Sequence, residues 1–482
     1  MPLLRADGVG CPDGGSGGAR MTRPNIIQIV VDDMGYGDLS SVNFGASSTP
    51  VLDQLSTNGV SLTQHYSASP VCAPARAALL TGQYPQRGGV IDTLEAYGTD
   101  RLSTARRTIA DFLGAAGYAT GLVGKWHNGA FDDRYHPLNR GFGEFLGFRG
   151  GWQDYWEWTL ERDRAPFAAD GRYLTDVFTS GAIDYIERHR NEPFFLHLAY
   201  NAPHFPFQAP EAEIDQFLKP GVSRRVATIY AMIQRVDLGI GRILQTLEER
   251  GLADNTIVMF MSDNGPQLDG EGEESTVRYN AGLRGAKQTV WEGGIRVPFI
   301  MRWPDGIEGR TSLDSLVHFT DWLPTLLDAA GVRYDPESFD GRSALPVLQG
   351  STRAAESTRF WQWTRYEPLA TSNAAMRDGD WKLLWPAWPL SLDATPADDR
   401  LDEAIKRDPS LFDPETVGAR PTLATAPADA APMLFNLRSD PAEAVDLAEA
   451  QPKRVASMAR QLDNWFAKVE EDRREAWSAD AS

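Results

Sequence analysis

The stretch Asn25–Asp33 has the sequence NIIQIVVDD, a short and nearly continuous apolar run closed by two aspartates. Strands that are buried on both faces of a parallel sheet have this composition, because helices cover both of those faces. The segment NIIQIVV (25–31) therefore predicts a central parallel strand, with Asp32 and Asp33 at its carboxyl end.

Similar apolar runs alternate with helical patterns along the chain. Further strands are predicted at YATGLVG (118–124), PFFLHLAY (193–200) and NTIVMFMSDNG (255–265). Helices are predicted at TPVLDQLSTNG (49–59), TIADFLGAAG (108–117) and 222–250, where apolar residues recur at steps of three and four. This alternation predicts an α/β fold with a large, mixed but mostly parallel sheet sandwiched by helices. In such sheets, functional side chains collect at the carboxyl ends of the strands.

The pattern changes after about residue 345. Antiparallel strands with polar turns are predicted at RFWQWTRYE (359–367), AAMRDGDWKLLWP (374–386) and PMLFNLRSDP (432–441). An Ala/Pro-rich loop is expected at 414–432, and a closing helix at about 452–469. We therefore expect a disordered extension (1–20), an α/β domain (21–345) and a smaller C-terminal α+β subdomain with an antiparallel sheet (346–482).

The composition excludes several kinds of partner. The 482 residues carry a formal net charge of −19, so nucleic acid and anionic membranes would both be repelled. Two cysteines cannot build a disulfide framework. The Gly-rich opening lacks the apolar core of a secretory signal, and no window has the apolar length of a membrane span. We therefore expect a cytoplasmic protein, whose oligomeric state the sequence does not indicate.

Two pairs of acidic or amide residues follow predicted strands at corresponding places. Asp32 and Asp33 close the first strand, and Asp263 and Asn264 close a later one. Adjacent carboxylates at strand ends are costly unless a cation or a base neutralises them. Oxygen ligands without cysteine or paired histidines favour a hard ion such as calcium or magnesium. For either pair alone, a turn that caps the next helix is the more common explanation, whereas two pairs at matching places favour a metal.

Basic residues follow other strands. Lys125 and His127 stand two residues apart in GKWHNG (124–129), where an extended backbone would point them the same way. His204 lies in a Pro-rich loop, and Lys287 lies beside a Gly-rich turn. Each has an ordinary structural explanation by itself. Together they predict cationic donors and imidazoles around a metal, an arrangement that suits an anion.

Cys72 lies in SPVCAPARAALLTGQ (69–83), where Pro74 marks a helix start. A thiol at a helix N-terminus faces the positive end of the helix dipole, so we expect its pKa to be lowered. The alternative is a buried small apolar residue, the commonest role of a lone cysteine.

The segment CAPARAALLTGQ (72–83) resembles the segment that marks type I sulfatases of the alkaline phosphatase superfamily. In that family, the cysteine of C-x-P-x-R is converted after translation to formylglycine. Seven further segments resemble the family in the same order: VDDMGYGD, GKWHNG, NAPHFPF, SDNGP, GAKQTVWEGGIRVP, DWLPTLLDAAG and LFNLRSDPAEAVDLA. The resemblance spans nearly the whole chain. It implies an alkaline phosphatase-like fold and hydrolysis of a sulfate monoester, either aryl, alkyl or carbohydrate.

The resemblance also implies a role for individual residues. Cys72 matches the formylglycine position, which supplies the nucleophile and also contacts the metal. The other metal ligands, usually for Ca²⁺ although Mg²⁺ or Mn²⁺ is possible, correspond to Asp32, Asp33, Asp263 and Asn264. Arg76 matches the arginine that holds the hydrated aldehyde, and His127 the histidine bonded to it. Sulfate-binding lysines correspond to Lys125 and Lys287, and the histidine that protonates the leaving alcohol to His204. A formylglycine-generating enzyme is implied as a partner during maturation.

One departure concerns maturation, because the position after Pro74 is usually serine in the family and is Ala75 here. Asp38 and Arg296 match family positions that we expect to have supporting roles. A phosphonate monoester or phosphodiester hydrolase of the same superfamily can share the formylglycine motif and is the main alternative. A non-catalytic anion-binding protein is the remote one.

The leaving-group side is less well indicated by the sequence. GGWQDYWEW (150–158) is rich in aromatic and acidic residues. Trp152, Tyr155 and Trp156 are candidates to stack on an aryl ring or a sugar face. These side chains could equally pack a long loop onto the protein body. Lys382 is a weaker candidate for a residue that faces the cleft.

Overall fold

Strand β1 (Asn25–Val31) is buried along its whole length, as its composition predicts. In the computed structural model, which describes residues 23–309, 311–350, 358–407, 427 and 429–480, it lies inside a ten-stranded mixed sheet. The predicted extension (1–20) and most of the predicted loop (414–432) lie outside the described residues.

The strands of the large sheet pair in the order β10-β2-β9-β8-β1-β7-β3-β4-β5-β6. The nine besides β1 are β2 (Val60–Tyr66), β3 (Ala119–Lys125), β4 (Glu144–Phe148), β5 (Thr159–Arg162), β6 (Ala165–Ala168), β7 (Phe194–Ala199), β8 (Thr256–Ser262), β9 (Phe299–Arg302) and β10 (Thr311–His318). Strand β1 is parallel to both neighbours, since Ile27 lies opposite Leu196 of β7 and Val258 of β8. Strand β7 is also parallel to β3. The four central strands therefore end at the same edge.

Helices cover both faces of this sheet. The described residues include the helices α1 (Pro50–Asn58), α2 (Cys72–Thr81), α3 (Ile109–Ala115), α4 (Leu174–His189), α5 (Glu211–Ile214), α6 (Arg224–Glu249), α7 (Glu292–Ile295), α8 (Trp322–Ala329), α9 (Leu345–Leu348), α10 (Pro396–Arg407) and α11 (Pro452–Asp480), of which α10 and α11 pack elsewhere. Alternate residues of β1 face the two layers: Ile27 packs with α1, α4 and α6, whereas Ile26 packs with α2, α3 and α8. The predicted α/β sandwich is confirmed.

Helix α6 shows how a sequence pattern positions a layer. The Ser223 hydroxyl accepts a hydrogen bond from the Val226 amide at 3.1 Å, which caps the first turn. The apolar residues predicted to share one face are all buried against α1, α4 and the sheet: Val226, Ile229, Ile233, Val236, Ile240, Ile243 and Leu247.

A second sheet confirms the antiparallel strands predicted in the C-terminal part. It pairs in chain order β11 (Arg359–Gln362), β12 (Ala374–Asp378), β13 (Trp381–Trp385) and β14 (Met433–Asn436). One face packs against α11 and the other against Tyr66 and Val290 beside the large sheet. Helix α11 continues to Asp480, beyond the predicted end at 469, because its residues Val469, Arg473 and Ala476 are also buried against the body. The boundary at residue 345 stays a prediction.

Across the part of the chain that the structure describes, none of the helices combines the length and the apolar character that crossing a bilayer requires.

Candidate functional site

The site lies where the four central parallel strands end. Asp32 and Asp33 follow β1, and Asp263 and Asn264 follow the adjacent β8. Lys125 ends β3, and the loop after β7 carries the histidine His204. The topology thus brings together residues that are far apart in the sequence, since the hydrogen bond from Asn264 to Asp33 joins residues 231 positions apart.

The acidic residues form a buried cluster. One carboxylate oxygen from each of Asp32, Asp33 and Asp263 lies within 4.8 Å of the other two. Asp33 has a φ of 63°, a left-handed conformation that costs free energy for a residue other than glycine and is common at functional sites. Burial and the neighbouring Asp32 raise the pKa of Asp263 to about 7, since like charges at this distance disfavour ionisation.

Three cations balance these carboxylates. The Lys125 ammonium donates to Asp32 Oδ2 at 2.6 Å, and the Lys287 ammonium donates to Asp33 Oδ2 at 2.7 Å. The Arg76 guanidinium donates to Asp263 Oδ2 through Nε at 2.9 Å. Burial alone would raise the pKa of Asp32, but Lys125, His204 and Arg76 hold it well below its ordinary value.

The same residues fit a hard metal ion. Asp32 Oδ1 and Asn264 Oδ1 are buried acceptor atoms with no hydrogen-bond partner. Such atoms are costly in a folded protein unless a ligand satisfies them. Carboxylate and amide oxygens together are the donors that Ca²⁺ and Mg²⁺ prefer. The cluster therefore has the chemistry of a cation site, with Asp32, Asp33, Asp263 and Asn264 available as ligands.

Cys72 is the first residue of α2, as predicted, and only 3% exposed. The expectation of a lowered thiol pKa is wrong. Burial raises the pKa of Cys72, and the nearby lysines Lys125 and Lys287 only partly offset this. The sulfur lies within 4.8 Å of a ligand atom of both Asp32 and His204. The thiol therefore belongs to the acidic cluster but is not activated as a thiolate.

Two histidines border the cluster. His127 is 1% exposed, has a φ of 53°, and places Nε2 3.9 Å from a carboxylate oxygen of Glu95. His204 donates from Nδ1 to the Phe205 carbonyl at 2.8 Å, which fixes the ring and leaves Nε2 3.7 Å from Asp33 Oδ2. Burial and Lys287 lower the pKa of His204 to about 4.

A cavity of about 520 Å³ opens above this cluster. Four residues predicted from the sequence for the catalytic centre line it, and they are Cys72, His127, His204 and Lys287. Lys125 and Arg76 lie beneath it, 0% and 1% exposed. A somewhat larger depression of about 680 Å³ beside α3 is lined by none of the predicted site residues.

The aromatic candidates occupy different places. Trp152 lines the cavity and packs against Phe205, with ring centroids 5.6 Å apart. Trp156 is 39% exposed, packs on Tyr173 and does not contribute to the cavity lining. Tyr155 is fully buried, and its hydroxyl donates to the His204 carbonyl at 2.9 Å, so it supports the loop instead of facing a ligand.

Lys382 does not face the cleft, and that expectation is wrong. Its ammonium is fully buried and pairs with Glu292 Oε1 at 3.0 Å and Glu443 Oε1 at 2.9 Å. Asp38 and Arg296 have supporting contacts: Asp38 pairs with Arg278, and Arg296 donates to the Thr63 carbonyl.

Several lining residues were not predicted from the sequence. One group is Thr93, Leu94, Gln267, Asp269, Gln288 and Arg365, and α10 adds Asp399, Asp402 and Glu403. No local motif distinguishes them, and α10 itself was not predicted. Its acidic, amphipathic sequence is typical of any solvated surface helix.

Together, the mostly parallel sheet and an edge rich in basic and carboxylate side chains are typical of an α/β enzyme whose active site lies at the carboxyl ends of its strands. Comparisons identify the family. The Sulfatase family profile matches residues 24–332, and a profile for the C-terminal part of N-sulphoglucosamine sulphohydrolase matches residues 285–386. The chain belongs to the sulfatase family of the alkaline phosphatase superfamily, as the motifs predict, and its enzyme class is sulfuric ester hydrolase.

The similarity extends along most of the chain. An uncharacterised sulfatase of Escherichia coli is 31% identical over 68% of this chain, and the match spans 66% of that protein, just under two thirds. The human N-acetylgalactosamine-6-sulfatase is 32% identical over 71% of this chain and 72% of its own length. The crystal structure of Ps i-CgsB in complex with k-i-k-neocarrahexaose superimposes with a TM-score of 0.77 and 27% identity, covering 95% of this chain and 98% of that one.

Proposed function

We propose that the protein hydrolyses a sulfate monoester with a formylglycine made from Cys72 and a divalent metal, most simply Ca²⁺. The observation that carries the proposal is the position of Cys72. It starts α2 at the floor of the cavity, directly beside the carboxylate cluster and within reach of Lys287 and His204. A buried thiol with a raised pKa is a poor nucleophile. We therefore assign Cys72 as the precursor of formylglycine and not as a thiol nucleophile.

The metal would be held by Asp32, Asp33, Asp263 and Asn264, with the oxygen of the modified Cys72 side chain as a further ligand. A bound divalent ion supplies positive charge that stabilises the anionic group and its developing charge. The same oxygen donors would also hold Mg²⁺ or Mn²⁺, and Ca²⁺ is the simplest choice because it accepts carboxylate and amide oxygens with the least demand on their geometry.

The sulfate group is bound by the cations of the chain. Lys287 reaches into the cavity, whereas Lys125 and Arg76 lie under its floor and hold the carboxylates in place. Donors fixed in a buried site need no reorganisation when charge develops on the sulfate oxygens, and each such donor is worth about 10²–10³ in rate.

The nucleophile and the proton donor come from neighbouring residues, because Cys72 Sγ lies within 4.8 Å of a ring nitrogen of His204. Hydration of the aldehyde gives two hydroxyl groups. One attacks sulfur as the bond from sulfur to the alcohol oxygen breaks, and the other then loses its proton, for which we assign His127 as the acceptor, and expels sulfate so that the aldehyde forms again. His204 presents Nε2 to the cavity, because Nδ1 is tied to the Phe205 carbonyl. We assign His204 to protonate the departing alcohol oxygen through Nε2. Because burial and Lys287 lower its pKa to about 4, binding of the anionic ester beside the ring must raise that pKa so that Nε2 gains the proton.

Maturation requires a formylglycine-generating enzyme, which must recognise C-x-P-x-R with Ala75 in place of the usual serine. In the folded protein Cys72 is 3% exposed and Ala75 is 0% exposed, so the modification must precede folding. Co-production with such an enzyme is therefore part of any test of activity.

The test is turnover of matched esters by co-produced protein. We expect 4-nitrophenyl sulfate to be hydrolysed faster than the matched phenylphosphonate ester, and Cys72→Ala to lose both activities. A preference for the phosphonate ester would assign the chain to phosphonate or phosphodiester hydrolysis instead. Binding of sulfate esters without turnover, unchanged by Cys72→Ala, would assign it to non-catalytic anion binding.

A further inference from the structure

Helix α10 forms one wall of the cavity and is held there by specific contacts. Asp398 accepts hydrogen bonds from the hydroxyls of Tyr97 and Tyr366. Asp402 Oδ1 accepts from the Glu95 amide at 2.9 Å. These contacts fix the rotation of α10, and thereby direct one of its faces at the cavity.

The face that α10 presents is acidic. Four carboxylates line the outer cavity and are called the acidic rim: Asp269, Asp399, Asp402 and Glu403. Two arginines lie close by, but each already has an acidic partner. Arg365 donates to the buried Asp92 at 2.8 Å, and Arg407 pairs with Glu403 at 2.7 Å. With Asp92 included, five carboxylates lie here beside two arginines, so the outer cavity keeps a net negative charge.

The two ends of the cavity therefore differ in electrostatics. At the inner end, Lys125, Lys287 and Arg76 balance the three carboxylates, so the divalent ion of the proposed function would supply the net positive charge that attracts one anionic group. At the outer end, the acidic rim repels any further anion. Carboxylates accept hydrogen bonds from hydroxyl groups, and the Trp152 ring beside them offers an apolar face of the kind that packs on a sugar.

We propose that the acidic rim selects saccharide or polyol esters that carry one sulfate and no other anionic group. The inference rests on the proposed function, because it concerns the alcohol that remains after the sulfate leaves. A second sulfate or a uronic carboxylate on that alcohol would lie against the rim. Asp399 and Glu403 are exposed, so the discrimination should weaken as salt screens their charges.

The test uses hydrolysis of 4-nitrophenyl sulfate as the reporter and two sugars as competitors, galactose 6-sulfate and galactose disulfate. The wild-type enzyme should bind the monosulfate more tightly, and this preference should shrink at high salt. Asp399→Asn combined with Glu403→Gln should tighten the disulfate about fivefold relative to the monosulfate, the scale expected for two screened surface charges. Glu471→Gln combined with Glu475→Gln makes the same change in net charge on exposed positions of α11 and should leave the ratio unchanged.

Each other result has a separate meaning. An equal ratio in the rim variant and the wild type, or a wild-type preference for the disulfate, would overturn the inference while leaving the proposed function intact. Failure of both sugars to compete would likewise overturn it. Absence of 4-nitrophenyl sulfate hydrolysis in protein shown to carry the aldehyde would overturn the proposed function and this inference with it.

Discussion

Among the described residues, two buried clusters of lysine and carboxylate side chains differ in what surrounds them. The floor cluster, which contains Lys125 and Asp32, leaves Asp32 Oδ1 without a hydrogen-bond partner and opens to the cavity. The inter-sheet cluster joins Lys382 to Glu292 between the two sheets. Both oxygens of Glu292 are occupied, Oε1 by Lys382 at 3.0 Å and Oε2 by the Tyr66 hydroxyl at 2.6 Å.

The difference shows that buried charge alone does not mark a site. The inter-sheet cluster satisfies Glu292 within the protein, so it ties the C-terminal sheet to the body. The floor cluster leaves acceptor oxygens to a ligand, and such atoms are the signature of a binding site. Substitutions in the floor cluster are therefore expected to change activity, whereas substitutions in the inter-sheet cluster are expected to change stability. Equal responses would show that the two clusters have the same role.

The largest effect is expected from Cys72→Ala. Removal of the nucleophile precursor should lower the turnover of 4-nitrophenyl sulfate by roughly 10⁴-fold or more, as with other covalent catalysts. The melting temperature should change little, because alanine fits the same small buried space. Retention of activity within tenfold would contradict the floor cluster as the catalytic centre.

Substitution of the two lysines should change different properties, activity for Lys287 and stability for Lys382. Lys287→Met should lower kcat/KM by about 10²–10³, since a preorganised donor to the sulfate is lost. Lys382→Met leaves Glu292 and Glu443 together without their cation, so it should lower the free energy of unfolding by about 3 kcal/mol. Kinetics on the folded fraction and denaturant titrations measure the two effects. A stable but inactive Lys382→Met enzyme would contradict the comparison.

Removal of the metal should affect only the floor cluster. After chelation we expect loss of activity and a lower melting temperature, because Asp32, Asp33 and Asp263 then repel one another. Ca²⁺ at about 100 times its dissociation constant should restore roughly 2.7 kcal/mol of stability. Thermal denaturation with Ca²⁺, Mg²⁺ and Mn²⁺ in parallel ranks the ions. In Asp263→Asn the stabilisation by Ca²⁺ should be much smaller, and an unchanged response would argue against this site.

The smallest effect is expected from substitutions of Trp152 and Trp156, which lie in the same loop. Trp152→Ala should raise KM about fivefold, because a stacking face on the cavity wall is lost. Trp156→Ala is the matched control and should leave KM within about twofold, since Trp156 packs on Tyr173 outside the cavity lining. Saturation kinetics with an aryl sulfate distinguish the two. Equal effects of both substitutions would mean that the loop acts through its folding alone.

Much of the fold and the floor of the site could be predicted because their signals are local. Buried runs such as residues 25–31 end directly in Asp32, and parallel pairing then dictates that Asp32 and Asp263 share an edge. The direction of the Cys72 pKa shift was predicted wrongly, because the helix position is visible in the sequence whereas burial depends on the whole fold.

The outer cavity could not be predicted for a similar reason. Helix α10 has no distinctive motif, and its orientation depends on Tyr97, which is 301 residues from its partner Asp398. Lys382 was wrongly predicted to face the cleft. The alternation of side chains along β13 defines two faces, but it does not show which face packs against the large sheet. Long-range contacts of this kind have no counterpart in a local pattern.

The most direct test of the central claim is the mass of the peptide that carries Cys72, from protein co-produced with a formylglycine-generating enzyme. The account predicts the mass of the aldehyde in active preparations, with activity proportional to the converted fraction. A peptide that carries only the unmodified thiol, in protein that nevertheless hydrolyses sulfate esters, would contradict it.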